Sequence, residues 1–251
     1  MKISVITAVH EAEATVGQAI RSVADQSWQD LEHLVIDGRS RDGTLAAIEA
    51  ARHDRMTLVS EADGGIYDAL NKGIRLATGD IVGFLHGDDF LAHSQVLARV
   101  AASFDAPRIE AVFSDLDYVD KFDDERIIRQ WRTGPFSPSR LRRGWTPAHP
   151  TLYLRREVYQ RLGSYDADMR ISADYDFILR YFSQIQDQTV HIPEVLYKMR
   201  MGGVSNRNLT MIALKMREDL RALKRNNVGG LSTLAMKNIS KIGQFLKHAQ
   251  D

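Results

Sequence analysis

The sequence predicts an α/β protein, a mixed but mainly parallel sheet flanked by helices, with a helical extension at the C-terminus. Three observations carry this. Short β-branched runs alternate with amphipathic stretches through the first hundred residues, the pattern of βαβ units. Polar or acidic residues follow successive runs: Thr7, Asp37 and the pair Asp88-Asp89. From Ser205 onward, two long amphipathic segments replace the alternation. The expected division is residues 1–204 as the sheet domain and 205–251 as a basic helical extension.

Ile3–Thr7 is a β-branched run read as a buried strand. From about Ala14 to Gln26, Val16, Ala19, Ile20 and Val23 recur at helical spacing. Leu31–Ile36 is a second strand and runs into Asp37-Gly-Arg-Ser-Arg-Asp-Gly-Thr44. A helix over Leu45–Ala51 and a strand over Met56–Ser60 follow. Asp63-Gly-Gly opens a helix striped by Ile66, Leu70, Ile74 and Ala77, closed by Gly79-Asp80. Ile81 begins the strand that ends at Asp88-Asp89. Right-handed crossovers set these strand ends on one rim, where open α/β sheets bind ligands.

Beyond residue 100 the pattern loosens. Ala111–Asp117 and residues 149–154 read as strands, Glu157–Leu162 and Asp174–Phe182 as helices. Residues 126–143 carry six arginines among Trp131, Pro135, Phe136 and Pro138 and are expected to include a mobile loop. In the extension, Leu209, Ile212, Met216, Leu220 and Leu223 stripe one helix. Leu231, Leu234, Ile242, Phe245 and Leu246 stripe the next, after the break Asn226-Asn-Val-Gly-Gly230.

Lys and Arg total 33, matched by 33 Asp and Glu, which argues against a dedicated nucleic-acid binder. The charge is uneven: from Ser205 to Asp251, nine basic residues face three acids. With no cysteine, disulfides and thiolate metal sites are excluded. The N-terminus enters a strand-like run at once, unlike a signal peptide, and no window of 18 uncharged apolar residues occurs. A cytoplasmic protein is expected, at most resting on the inner face of the cytoplasmic membrane.

Two adjacent carboxylates at a strand end suit a turn or a divalent cation with a sugar hydroxyl, since like charges this close need a cation between them to ionise together. Asp37 suits either an ordinary loop or acceptance of a hydrogen bond from a nucleobase N–H or ribose hydroxyl. Asp174-Tyr-Asp176, at a helix start, satisfies the helix dipole or supplies a general base. His10 and His149 are each structural or ligand-facing on residue type alone. Neither a Walker loop nor a dinucleotide fingerprint occurs, which disfavours triphosphate hydrolysis and hydride transfer.

Taken in order, Ser4-Val-Ile-Thr7, Ile36–Thr44, Ser60-Glu-Ala-Asp-Gly-Gly-Ile-Tyr-Asp-Ala-Leu-Asn-Lys-Gly73, Phe84-Leu-His-Gly-Asp-Asp89 and Ala173-Asp-Tyr-Asp-Phe-Ile-Leu-Arg180 resemble the family 2 glycosyltransferases of GT-A fold. The likeness spans about residues 1–200 and is closest to bacterial members that build surface polysaccharides. It implies that Thr7, His10, Glu11 and Asp37 line a nucleoside pocket, with Asp63 and Lys72 nearby. It implies Asp88 on the ribose side, Asp89 and Asp88 at a Mg²⁺ or Mn²⁺ ion, and Asp174 as the catalytic base, with Asp176 as its fallback and His149 on the acceptor side. His86 stands where many relatives carry Asp or Asn, and Ala173 where an acid often precedes the base. The Gln-x-x-Arg-Trp motif of processive synthases is absent.

The resemblance therefore implies an inverting, non-processive transfer of one sugar from a UDP-, dTDP- or GDP-linked donor to a glycan or lipid-linked acceptor. Two alternatives stand beside it: a sugar-nucleotide nucleotidyltransferase, which should show a Gly-rich basic loop near strand one, and a non-catalytic nucleotide-sugar-binding protein. The extension suits packing onto the domain, homodimerisation, or contact with an anionic membrane through Lys237, Lys241 and Lys247 outside the apolar stripe.

Overall fold

A computed structural model describes residues 1–202 and 209–246, and the expected boundary at 204/205 lies outside them. Nine strands form one mixed sheet in the order β3-β2-β1-β4-β8-β6-β9-β5, with β7 on the flank of β6. The first four are β1 (Ile3–Val9), β2 (Leu31–Asp37), β3 (Met56–Ser60) and β4 (Ile81–Phe84), all parallel. β8 (Tyr153–Arg155) lies antiparallel between β4 and β6 (Ala111–Val119). β9 (Thr189–Arg200) runs parallel to β6, and the two-residue β5 (Phe90–Leu91) pairs antiparallel with β9.

β1 and β4 are buried along their whole length because helices cover both faces, and this is why they read as unbroken apolar runs. Helix α1 (Val16–Ala24) buries the expected stripe of Val16, Ala19, Ile20 and Val23. α2 (Thr44–Ala50) links β2 to β3. In the next helix, α3 (Ile66–Leu76), Leu70 and the C-cap Ala77 are buried and Ile74 packs against the core, as the expected stripe requires, and only Ile66 departs from it. Tyr67, Ala69, Leu70, Asn71 and Gly73 face inward while Ile66 is 46% exposed. Gly73 permits this packing, because a methyl there would lie 2.3 Å from Ile6 Cγ2 on β1. Only glycine lets the helix settle that close.

Five elements depart from the sequence expectation. α4 (Val96–Ser103) and β9 were not foreseen. Within residues 126–143, β7 (Ile127–Trp131) pairs antiparallel with β6, and α5 (Pro138–Arg142), capped by the Ser137 hydroxyl, follows after the irregular stretch 132–137. Residues 149–151 form a single 3-10 turn ahead of β8.

α6 (Arg156–Leu162) and α7 (Ala173–Phe182) complete the sheet domain, and α8 (Leu209–Arg225) and α9 (Leu231–Leu246) pack on it. Ala222, Leu223, Val228 and Leu234 belong to the same core cluster as Phe84, Phe113 and Phe177. The expected apolar stripes are only partly inward, since Ile212, Met216 and Leu231 are exposed. Lys237, expected on the outer face, is buried against Asp219 at 2.8 Å, with its ammonium 3.2 Å from the centre of the Tyr175 ring. No helix among the described residues is long and apolar enough to cross a membrane.

Candidate active site at the carboxyl rim of the sheet

The register brings the acidic positions to one rim. Val9 pairs with Asp37 and Asp37 with Ser60 across β1, β2 and β3, while Gly87, just before Asp88, donates its N–H to Ala8. Thr15, at the start of α1, donates its hydroxyl to the Gly87 carbonyl at 2.9 Å and pins the turn that carries Asp88 and Asp89.

At the β2 end, Asp37 is fully buried. The Ser40 hydroxyl donates to its Oδ1 at 2.5 Å and the Ser60 hydroxyl to its Oδ2 at 2.6 Å. Ser40 in turn accepts the Glu11 backbone N–H at 2.9 Å, and Glu11 holds a left-handed φ of 49° there. Two serines, one in the loop after β2 and one at the end of β3, thus satisfy this buried carboxylate, which would be costly to leave unpaired. Asp63 and His10 flank Gly38: a methyl on that glycine would fall 2.7 Å from Asp63 Oδ2 and 3.3 Å from His10 Cδ2. Lys72 lies beside them, donating to the Ala62 carbonyl at 2.8 Å and pairing with Glu61 at 3.2 Å.

Asp88 is exposed and Asp89 fully buried, as expected of neighbours that begin on opposite faces. Asp89 Oδ1 accepts the Arg200 backbone N–H at 3.2 Å, while its Oδ2 is buried with no hydrogen-bond partner. Burial, reinforced by the Asp88 charge, pushes the Asp89 carboxyl well above the usual carboxylate range. A buried carboxylate oxygen left without a donor is what a hard cation would satisfy. Among the described residues no cluster of three or more His, Asp or Glu forms a complete cage, so phosphate oxygens and water would supply the other ligands.

Asp174 sits in the first turn of α7, close enough to His86 and His149 for its charge to act on both rings. One hydroxyl proton of Tyr67 is shared between the Ile171 carbonyl at 2.6 Å and Asp174 Oδ1 at 2.9 Å. His86 and His149 stack at 6.0 Å, and His149 bonds the Tyr165 hydroxyl at 2.7 Å through Nε2. Burial lowers the pKa of both rings, that of His149 to about 4, against the pull of the nearby Asp174 charge. Burial thus favours the neutral form of both rings, in which one nitrogen donates and the other accepts.

The sequence model of glycosyl transferase family 2 matches residues 4–163. The chain belongs to that family. Among curated family relatives, a PGL/p-HBAD biosynthesis glycosyltransferase of Mycobacterium tuberculosis is 34% identical over 81% of this chain and 78% of its own length. The O-antigen biosynthesis protein RfbC of Myxococcus xanthus is 33% identical over 81% of this chain but only 16% of RfbC. Among solved structures, Staphylococcus aureus TarS 1–349 in complex with UDP-GlcNAc superposes with a TM-score of 0.71 at 18% identity, covering 89% of this chain and 66% of TarS 1–349. The mannosyltransferase PcManGT of Pyrobaculum calidifontis, in complex with GDP-Man and Mn²⁺, gives 0.65 at 20% identity, covering 89% of this chain and 63% of PcManGT. The fold is the GT-A fold expected from the sequence.

Against the family 2 expectation, the rim gathers His10, Glu11, Asp63, Lys72, Asp88, Asp89, His149 and Asp174, with Asp37 buried behind them. Two expected residues lie elsewhere. β1 runs to Val9, so Thr7 falls inside the strand, fully buried, with its hydroxyl 2.9 Å from His33 Nε2. Asp176 is fully buried, one oxygen paired with Arg180 at 2.8 Å and the other accepting from Asn226 at 3.0 Å. The arginines of 126–143 are mostly turned to local partners: Arg129 lies over the Tyr118 ring at 4.7 Å, Arg132 pairs with Asp117 at 2.7 Å, and Arg140 donates to the Pro135 and Thr133 carbonyls.

Sequence reasoning assigned no role to Tyr67, Ser40 or Ser60, although all three stand inside the motifs quoted for the family. Arg200 was out of reach because its strand was not foreseen.

Proposed function

We propose that this family 2 glycosyltransferase is inverting and non-processive, transferring one sugar from a nucleotide-linked donor to a hydroxyl of a glycan or lipid-linked acceptor. Support for surface polysaccharide or glycolipid biosynthesis comes from the two bacterial relatives above. The observation that carries the mechanism is the pairing on one rim of a carboxylate with an unsatisfied oxygen, Asp89, and a second carboxylate held by a tyrosine, Asp174.

The nucleoside would rest against His10, Glu11 and Asp63, over the loop that Asp37 braces through Ser40. Asp88, exposed at the turn, would meet the ribose. Asp89, with Asp88 beside it, would hold Mg²⁺ or Mn²⁺, whose charge offsets that developing on the leaving diphosphate. Asp174 then accepts the proton of the acceptor hydroxyl as the new glycosidic bond forms on the face opposite the departing diphosphate, which inverts the anomeric centre. Tyr67 fixes that carboxylate by donating to one of its oxygens, leaving the other for the acceptor. His149 and His86, stacked on one another, suit hydrogen bonds to sugar hydroxyls.

A panel of UDP-, dTDP- and GDP-sugars tests the reading, each followed by thermal stabilisation and nucleoside diphosphate release with and without Mn²⁺. One donor class should stabilise the protein only with metal present. Asp174→Asn should bind that donor normally and turn it over at least 10²-fold more slowly, as loss of a general base commonly does. Full-rate transfer by this variant would remove Asp174 from the mechanism.

A further inference from the structure

The C-terminal helices reach the proposed base through a carboxylate that the sheet domain does not supply. Glu218 on α8 is buried, and three successive backbone N–H groups donate to it: Arg170 to Oε1 at 3.0 Å, and Ile171 and Ser172 to Oε2, each at 2.9 Å. These groups lead into α7. Ser172, in the N-cap position, makes no side-chain cap and its own hydroxyl is buried without a partner. A carboxylate from another helix therefore takes the place a capping side chain would occupy, where the helix dipole favours negative charge.

The same peptide unit faces both ways. The N–H of the Ile171–Ser172 peptide donates to Glu218, and its carbonyl accepts from Tyr67, whose proton is shared with Asp174. Glu218, one peptide group, Tyr67 and Asp174 form a continuous hydrogen-bonded chain, in which each bond polarises the next. Asp219, the next residue, secures the other side by holding Lys237 of α9 over the ring of Tyr175, the neighbour of Asp174.

We propose that Glu218 is a positioning residue for sugar transfer, fixing through the Ile171–Ser172 peptide and Tyr67 the orientation of the Asp174 carboxylate. This rests on Asp174 being the base. Misplacement of a reacting group by about 1 Å is enough to cost about 10²-fold in rate. Glu218 itself touches no substrate.

The test measures Mn²⁺-dependent nucleoside diphosphate release from whichever UDP-, dTDP- or GDP-sugar the panel identifies, together with the affinity for the matching nucleoside diphosphate. Glu218→Gln places an amide against three donors and should lower kcat about 10- to 100-fold, leaving the donor KM and nucleotide affinity within about twofold. Asn226→Ala removes a different contact to α7, the bond to Asp176 from the residue that follows α8, and is the packing control; its melting point should fall while kcat stays within about twofold. If Glu218→Gln does not fold, Glu218→Asp is read in the same way, since it keeps the charge but withdraws the oxygens by one methylene. Equal kcat losses in the Glu218 and Asn226 variants would reduce Glu218 to a packing residue and overturn the proposal. A Glu218 variant with wild-type kcat beside an inactive Asp174→Asn would overturn it alone. A fully active Asp174→Asn would overturn the base assignment and this proposal with it.

Discussion

Arg200 and Asp89 meet across the mouth of the site. At the last residue of β9, Arg200 donates its backbone N–H to Asp89 and its guanidinium to the Asp88 carbonyl at 2.8 Å. That guanidinium also lies 4.8 Å from the centre of the Phe90 ring and donates to Gln18. One side chain thus braces the acidic turn from outside. Arg200→Ala keeps the backbone bond but releases the turn. We expect Mn²⁺-dependent nucleotide affinity to weaken roughly 5- to 50-fold, about 1 to 2 kcal/mol. Isothermal titration calorimetry with UDP, dTDP and GDP checks it; unchanged affinity would show that the turn keeps its shape unaided.

Asp89→Asn separates charge from shape. The variant keeps the side-chain volume and an acceptor for the Arg200 N–H, so the ligand-free melting point should hold or rise, because the buried carboxyl is already strained toward its neutral form. Stabilisation by Mn²⁺ with nucleotide should disappear, since a bound ligand contributes only in proportion to its affinity. Differential scanning fluorimetry reads both effects in one plate.

Tyr67→Phe removes the proton shared by Ile171 and Asp174 but preserves the ring that packs 5.8 Å from Tyr165. Turnover should fall about tenfold with donor KM little changed, because the lost hydrogen bond orients the carboxylate without touching the donor. A comparable rise in KM would show that the hydroxyl contacts substrate instead.

Acid should destabilise the fold through a buried histidine. Burial, with His53 and Arg55 nearby, lowers the His33 pKa to about 3. Its Nδ1 lies 3.1 Å from His53 Nε2 and its Nε2 beside the Thr7 hydroxyl. The unfolded chain therefore binds a proton below about pH 6.5 that the folded chain refuses until about pH 3, and stability must fall as pH drops through that window. At pH 5 this amounts to roughly 2 kcal/mol relative to pH 7.5. Urea unfolding at the two pH values, repeated on His33→Gln, isolates the contribution; an equal loss in the variant would assign it elsewhere.

Gly73→Ala tests the seat of α3. Alanine normally favours a helix interior by up to about 1 kcal/mol. Here its methyl would meet Ile6, so a net loss of about 1 to 3 kcal/mol is expected by chemical denaturation.

Much of this architecture was legible in the residues. The parallel half announces itself through uninterrupted apolar runs, and acids at consecutive strand ends point to the rim before any coordinates do. β9 was hidden because Pro193 and Glu194 interrupt its alternation and its pairing with β6 shifts register. β7 was hidden because Ile127-Ile-Arg-Gln-Trp131 buries an arginine between two rings, which composition reads as a basic loop. Asp174 and Asp176 are indistinguishable by spacing. Their fates diverge because one faces Tyr67 and the other Arg180 and Asn226, partners 107 and 50 residues away for Tyr67 and Asn226. The inward face of α8 was legible only in part: Leu223 is buried as its apolar stripe requires, but Glu218 and Asp219, also buried, are charged and satisfied by groups elsewhere in the fold.

β8 has a consequence for how the protein comes apart. It joins β4 through the pairs Ile81–Arg155 and Val82–Leu154, and β6 through Ala111–Leu154 and Val112–Tyr153, so the sheet narrows there to a three-residue seam. The Tyr153 ring fills the space beside Gly83, where a methyl would lie 2.2 Å from it, and locks the seam by shape rather than by a long ladder. Cooperativity between the β3-β2-β1-β4 unit and the β6-β9-β5 unit is thus carried by side chains rather than by a ladder: Tyr153 at the seam, the shared core that joins Ile6 and Phe84 to Phe113, and the Tyr197 hydroxyl, which donates to the Phe84 carbonyl.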